Sequence, residues 1–176
     1  YDFSEIGKNV PNRLVGGFDD EFQGDMVPRV TYMGNPYSCA FSGKALTFFS
    51  SRNLASPELV EQRNIEERID SVFYSDEYAA AIVRNTNGEY GSRLEVYKKD
   101  GTHVLSKEFN FEYTHADFDG DLIILYNEES CRIYNMSGTE KFDATFDFPV
   151  SKIRKGRFPG TLVVTGPQQM QELKLR

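Results

Sequence analysis

Four cations fall within six residues near the end of an otherwise acidic chain: Lys152, Arg154, Lys155 and Arg157. On a strand beginning at Val150 successive side chains alternate, so Lys152 and Arg154 share one face while Ile153 and Lys155 share the other. Two cations on one face suit a carboxylate or phosphate, the Arg through its planar fork and the Lys as a point charge. His115, between Thr114 and Ala116, falls on another expected inner strand, where it is a candidate channel-facing ligand or general base. Lys152, Arg154 and His115 are thus the candidate ligand-binding residues. The competing reading is a strand edge kept soluble by charge and a hydrogen-bonded strand histidine.

Asp117, Asp119 and Asp121 are spaced by two around Gly120, and carboxylates gathered on a tight turn are what a hard cation such as calcium requires. An EF-hand loop counted from Asp117 would place Leu122 where glycine belongs, and one counted from Asp19, through Glu21, Gln23 and Gly24, would place Val30 where the closing glutamate belongs. Solvated hairpin turns are the preferred reading, with the three aspartates as the weak metal candidates. His103 and His115 are the only histidines, and neither has a ligand-spaced partner. No nucleophile elbow, Walker loop or dinucleotide fingerprint occurs. The carboxylate pairs Glu66-Glu67 and Glu128-Glu129 are consecutive, so on strands they point to opposite faces. No catalytic residue and no cofactor is called for. Tyrosines 32, 37, 74, 78, 90 and 113 cluster toward strand ends and loops, where amphipathic aromatics serve recognition as well as packing.

The elements that would position these residues repeat. Leu94-Glu95-Val96-Tyr97-Lys98-Lys99-Asp100-Gly101-Thr102 aligns with Cys131-Arg132-Ile133-Tyr134-Asn135-Met136-Ser137-Gly138-Thr139 at an offset of 37 residues, and Phe109-Asn110-Phe111 falls on Phe146-Asp147-Phe148 at the same offset. Each unit reads as four short strands, about 69–73, 78–84, 93–98 and 103–109 in one and 113–118, 121–126, 131–135 and 141–146 in the next, with turn residues such as Asp119-Gly120 and Ser137-Gly138 between them. The segment 56–63 has a helix-start signal but reads as an outer strand by its place in the repeat. Four strands in roughly 40 residues is the length of a β-propeller blade. The expectation is an all-β, propeller-like chain of about four antiparallel meanders, forming part of a propeller. It is a single domain 1–176, with blades at 27–65, 66–111, 112–148 and 149–176 and an N-terminal strand or extension at 1–26, where residues 1–6 would close the last blade or end a preceding one.

The apolar-Tyr-x-x-x-Gly-Thr turn within four-strand units resembles WD40, YWTD and quinoprotein-type propellers in the broad sense. The whole chain is similar to the propeller-like ectodomains of membrane-anchored bacterial envelope proteins. Trp is absent, and with it the Trp-Asp and Tyr-Trp-Thr-Asp signatures, so the resemblance carries over architecture and an extracytoplasmic, envelope-associated location but no site residue.

Composition limits the function classes further. The chain has 27 acidic and 20 basic residues among 176, which disfavours nucleic acid and anionic membrane. Its longest apolar runs, Ala79 to Val83 and Leu122 to Leu125, are far short of the roughly 20 residues that span a bilayer. Cys39 and Cys131 lie in separate apolar strands and read as buried and unpaired, with a disulfide as the alternative. A start at Tyr1 without an initiator Met suggests a segment of a longer product. The functional expectation is a non-catalytic interaction or scaffold module with a protein partner and an open-edged homodimer as one form. The alternatives are a small-molecule or glycan site at a central channel and a calcium-stabilised module.

Overall fold

The computed structural model describes residues 18–22, 24–86 and 89–175; the expected closing strand at 1–6 lies outside them. After a short 3-10 turn, Asp19–Phe22, the described chain is all β. Sheet 1 contains β1 (Arg29–Tyr32), β2 (Tyr37–Phe41), β3 (Ala45–Ser50) and β4 (Glu58–Asn64). Sheet 2 contains β5 (Ile69–Tyr74), β6 (Tyr78–Arg84), β7 (Ser92–Lys98) and β8 (His103–Phe109). Sheet 3 contains β9 (His115–Asp119), β10 (Leu122–Tyr126), β11 (Ser130–Asn135) and β12 (Glu140–Thr145), and sheet 4 contains β13 (Lys152–Lys155), β14 (Thr161–Thr165) and β15 (Met170–Lys174). Every sheet is an antiparallel meander in sequence order, the last with three strands. The segment with the helix-start signal is strand β4, as its place in the repeat implies.

Stacking of the sheets explains the apolar runs. β6 is covered on both sides: Ala79, Ala81 and Val83 enter a core shared with sheet 1, and Ala80 and Ile82 a core shared with sheet 3. β10 repeats the arrangement, with Ile123 and Leu125 toward sheet 2 and Leu122, Ile124 and Tyr126 toward sheet 4. A strand buried on two faces loses the polar alternation that a half-exposed strand shows. The three cores therefore lie between sheets, and each sheet is small because its neighbours supply the apolar cover.

The glycines of the 37-residue repeat have a shared cause. Gly101, after β7, and Gly138, after β11, adopt φ of 82° and 77°, a left-handed conformation that side chains resist. Each turn also presses on the preceding sheet. A Cβ on Gly101 would sit 2.5 Å from Cβ of Glu61 on β4, and one on Gly138 would sit 2.9 Å from Cδ1 of Leu105 on β8. Arg63 Nε donates to the Gly101 carbonyl at 2.9 Å across the same junction. The repeat thus encodes how one sheet docks on the last as well as how a hairpin turns.

Candidate functional site

The first strands of successive sheets approach one another along one side of the array, β5 against β9. Three side-chain pairs mark that side: Arg29 Nη1 donates to Tyr74 Oη at 3.0 Å, Ser71 and Tyr113 hydroxyls lie 2.7 Å apart, and Arg154 Nη1 meets Asp117 Oδ2 at 3.1 Å. The candidates from sequence gather at the third of these, on β9 and β13.

Here the two suspected sites prove to be halves of one. Asp117 and Asp119 share a face of β9, with Phe118 turned the other way into the core with sheet 2. Arg154 closes on Asp117, the Lys155 backbone N–H donates to Asp119 Oδ2 at 2.5 Å, and Lys155 Nζ donates to Asp121 Oδ1 at 2.6 Å. The lysine hydrogen bond holds the Asp121 carboxyl below its ordinary value. An ammonium and a guanidinium therefore take up the carboxylates that a bound cation would require, and the same aspartates take up the charge that a bound anion would require. Gly120 makes the approach feasible: its φ is 61°, and a Cβ there would lie 2.7 Å from Lys155 Nζ. Among the described residues no three His, Cys, Asp or Glu side chains converge on one metal position. Of the stretch 19–25, the side chains of Asp19, Asp20 and Gln23 lie outside the described set.

Lys152 is exposed on β13 and makes no ion pair among the described residues. It pairs with Thr165 across the sheet, on the face of Arg154 and opposite Ile153, as alternation requires. His115 stacks on the Tyr126 ring at 4.8 Å and 10°, and its Nδ1 lies 2.9 Å from the Thr114 hydroxyl. Among the described residues no carboxylate hydrogen-bonds to it. Tyr126 itself is pushed up by burial and by Asp117. The structure thus joins Arg154, Lys155 and the three aspartates through ion pairs and hydrogen bonds in which Lys152 and His115, on the same two strands, take no part.

One cluster was not foreseen. Glu95, only 8% exposed, accepts from Arg93 Nε at 2.6 Å and Ser106 Oγ at 2.9 Å and contacts His103 Nε2 at 3.2 Å. Serine, histidine and acid are all present, but the carboxylate lies between the other two, whereas nucleophilic catalysis needs the histidine in the middle. The cluster satisfies a buried charge. The alternation of Glu95 with the apolar Leu94 and Val96, and its place directly across from Ser106, was the only signal available. The cysteines are unpaired and buried in different cores, Cys39 between sheets 1 and 2 and Cys131 between sheets 3 and 4. Burial pushes both thiols up, that of Cys131 to about 12. Of the tyrosines singled out, Tyr37, Tyr74, Tyr78 and Tyr113 pack against the cores, while Tyr32 is 62% and Tyr90 39% exposed.

Four successive meanders stacked face to face, with their first strands toward one side, define a β-propeller array whose best-formed polar cluster is internal. The chain belongs to the family described as a family of unknown function (DUF5711), whose model matches residues 1–175. Comparison with curated proteins finds no match. Among solved structures it is similar to BamB from Moraxella catarrhalis, with a TM-score of 0.56 at 15% identity over 86% of this chain and 47% of that one. Sqt1 from Saccharomyces cerevisiae gives 0.55 at 13% identity, over 90% and 48%. The computationally designed Ika4 protein gives 0.55 at 7% identity, over 87% of this chain and 93% of that one. At these identities the likeness is one of fold, and the chain spans about half the length of the natural propellers it matches. None of the described helical segments is long and apolar enough to cross a membrane.

Proposed function

We propose that this protein is a non-catalytic interaction module, a propeller segment of a bacterial envelope protein that contacts protein partners outside the cytoplasm. One observation carries the reading. The charged side chains best placed for chemistry, Asp117, Asp119, Asp121, Arg154 and Lys155, are engaged with one another, while large apolar side chains such as Val30, Tyr32 and Met170 stand exposed. Spent charges with unspent apolar surface favour protein contact over turnover. The extracytoplasmic location rests on the resemblance of the sequence to membrane-anchored envelope ectodomains.

Both parts are testable on the whole protein in cells. A photo-crosslinking residue at Tyr32 or Phe158 is expected to yield discrete protein adducts. Absence of adducts, together with a turnover or anion affinity lost in a Lys152→Ala, Arg154→Ala double variant, would replace the reading with a channel-side ligand site. For location, Leu54→Cys places a thiol at a position 62% exposed, against native thiols that are both buried. A membrane-impermeant maleimide should label that variant on intact cells, and labelling only after lysis would contradict the proposal.

A further inference from the structure

Antiparallel meanders send their turns alternately to the top and bottom of the array. The first and third turns of each sheet lie on top, at 33–36, 51–57, 75–77, 99–102, 120–121, 136–139 and 156–160. The second turns and the links between sheets lie on the bottom, at 42–44, 65–68, 85–91, 110–114, 127–129, 146–151 and 166–169. The top loops carry four acids and three bases, the bottom loops seven acids and two bases.

The two sides differ further in how far the acids are neutralised. On top, Lys99 Nζ donates to Glu77 at 2.8 Å, Lys155 Nζ to Asp121 at 2.6 Å, and the Thr102 N–H to Asp100 at 2.9 Å. On the bottom, Arg93 meets Glu67 at 2.8 Å. The other six, Glu66, Glu89, Glu112, Glu128, Glu129 and Asp147, are exposed and form no ion pair among the described residues. Of the cations in or next to these bottom loops, Arg68 and Arg84 meet Asp70, so only Lys44 and Lys152 stand unpaired among the described residues against six carboxylates. All six acids lie between the end of β4 and the start of β13, on loops that a further sheet stacked beside sheet 1 or sheet 4 would leave uncovered.

The bottom loops of sheets 2 and 3 are tied to one another. Asn85 Nδ2 donates to Glu108 at 2.7 Å and the Gly91 N–H to Asn110 Oδ1 at 2.6 Å. Asn127 Nδ2 donates to the Glu112 carbonyl at 2.6 Å, and the Phe146 and Val150 N–H groups donate to the Glu129 and Glu128 carbonyls at 2.7 and 2.8 Å. A continuous band therefore runs from loop 85–91 across sheet 3 to the link 146–151, with an apolar foothold at each extremity. One is exposed Tyr90, on a loop longer than its counterpart 127–129 in sheet 3. The other is a groove of about 320 Å3, where Phe146, Phe148 and Pro149 lie beside Glu128, Glu129 and Asp147.

Resting on the protein-contact reading above, we propose that this band docks a Lys/Arg-rich segment of a partner protein, laid extended along it with apolar side chains at Tyr90 and in the groove. The six carboxylates are spread over five loops, and among the described residues no three acids converge on one metal position, so they suit a row of cations and not a single ion. Unpaired carboxylates steer a basic partner and reject acidic ones. Tyr90 and the groove add apolar contact, with the Tyr90 ring open to a guanidinium. Loops already held by hydrogen bonds need little further ordering.

Fluorescence anisotropy on the 176-residue chain tests this, the probe being a labelled peptide of repeated Arg-Phe-Lys-Gly units in about 0.15 M salt. Glu112→Gln, Glu128→Gln and Glu129→Gln together remove three charges from the band while keeping its backbone bonds. Glu58→Gln, Asp76→Asn and Glu140→Gln together remove three exposed charges outside it. With circular dichroism unchanged in both, the first triple variant should lose about tenfold or more in affinity and the second less than about twofold. Equal losses would reduce the binding to the net charge of the chain, and no binding by the unaltered chain would remove the site; either result overturns the proposal. In cells, a photo-crosslinker at Tyr90 of the whole protein should join partner peptides rich in Lys and Arg. Adducts from Phe158 with none from Tyr90, or Tyr90 adducts with acidic segments, would defeat this inference and leave the protein-contact reading standing.

Discussion

The junction between sheets 2 and 3 and the junction between sheets 3 and 4 use equivalent strand faces but hold by different means. Between sheets 2 and 3, Phe118 packs on Phe73 at 4.6 Å and on Tyr78 at 5.7 Å, with Phe109 against Tyr113 at 6.2 Å. The polar contact beside the first strands is a neutral pair, Ser71 with Tyr113, and the cations that reach across, Lys107 over the Tyr134 ring and Arg132 to the Asn110 carbonyl, meet no carboxylate of the other sheet among the described residues. Between sheets 3 and 4 the sheet 4 contribution is aliphatic, Ile153, Leu162 and Val164, and the inner side is joined by Arg154 with Asp117 and Lys155 with Asp121. Segment 112–148 has nine acids to two bases, and 149–176 six bases to one acid. The difference teaches a division of labour: buried aromatic area supplies adhesion, while charge selects which sheet follows which. Exposed ion pairs contribute about 0–1 kcal/mol each, so the charged junction is the easier one to open.

The largest test of that ranking is Phe118→Ala, which empties the aromatic junction. A buried Phe truncation costs roughly 3–5 kcal/mol, and urea unfolding should show a loss of that order. Ile153→Val, removing one methylene from the charged junction where Ile153 is 1% exposed, should cost about 0.5–1.5 kcal/mol. Equal losses from the two would erase the contrast. Next in size is Gly101→Ala. It combines a left-handed φ with a Cβ clash on Glu61, and about 2 kcal/mol is expected. Gly120→Ala meets only the mobile end of Lys155, so its cost should stay near the backbone penalty of roughly 1 kcal/mol. The native thiols report which junction yields first. Because burial pushes both up, each should react only when its own core opens. Cys131, between sheets 3 and 4, is expected to label faster than Cys39, between sheets 1 and 2.

Much of this contrast lay within reach of the sequence, but not its pairing. Strands β6 and β8 fall on the expected residues because their apolar runs and flanking turns are local signals. The offset of 37 marked Gly101 and Gly138 as equivalent, yet the reason for glycine, contact with Glu61 and Leu105 of the preceding sheet, depends on packing between segments distant in sequence. Sheet 1 was harder to read because its third turn, 51–57, lacks the glycine that marks the same turn in sheets 2 and 3. The basic and acidic clusters were visible as an anion site and a cation site. Their neutralisation of each other spans 37 residues, from Asp117 to Arg154, and equals the repeat offset, so the alignment that paired Gly101 with Gly138, carried downstream, already puts those two at matching positions of adjacent sheets.

The smallest effect concerns pH and salt, and its sign is fixed by the carboxylates. Lys155 holds Asp121 below its unfolded value, so the pair stabilises the folded state fully above the ordinary carboxylate range and loses that contribution as pH falls through the lowered value. The window therefore lies below about pH 4. Asp121 is well exposed, its side chain 77% accessible, so solvent screens the pair and the change is a local loosening with the rest of the array still folded. Hydrogen exchange should show amides of β13 and β14 losing protection on acidification before those of β6, both of whose faces are apolar. Glu67, held low in the same way by its hydrogen bond from Arg93, predicts a second, smaller response confined to the linker before β5. At neutral pH, molar salt should reproduce the β13 effect in part, and Asp121→Asn should remove its acid sensitivity. Equal acid loss of protection in β6 and β14 would mean that the two junctions do not differ in kind.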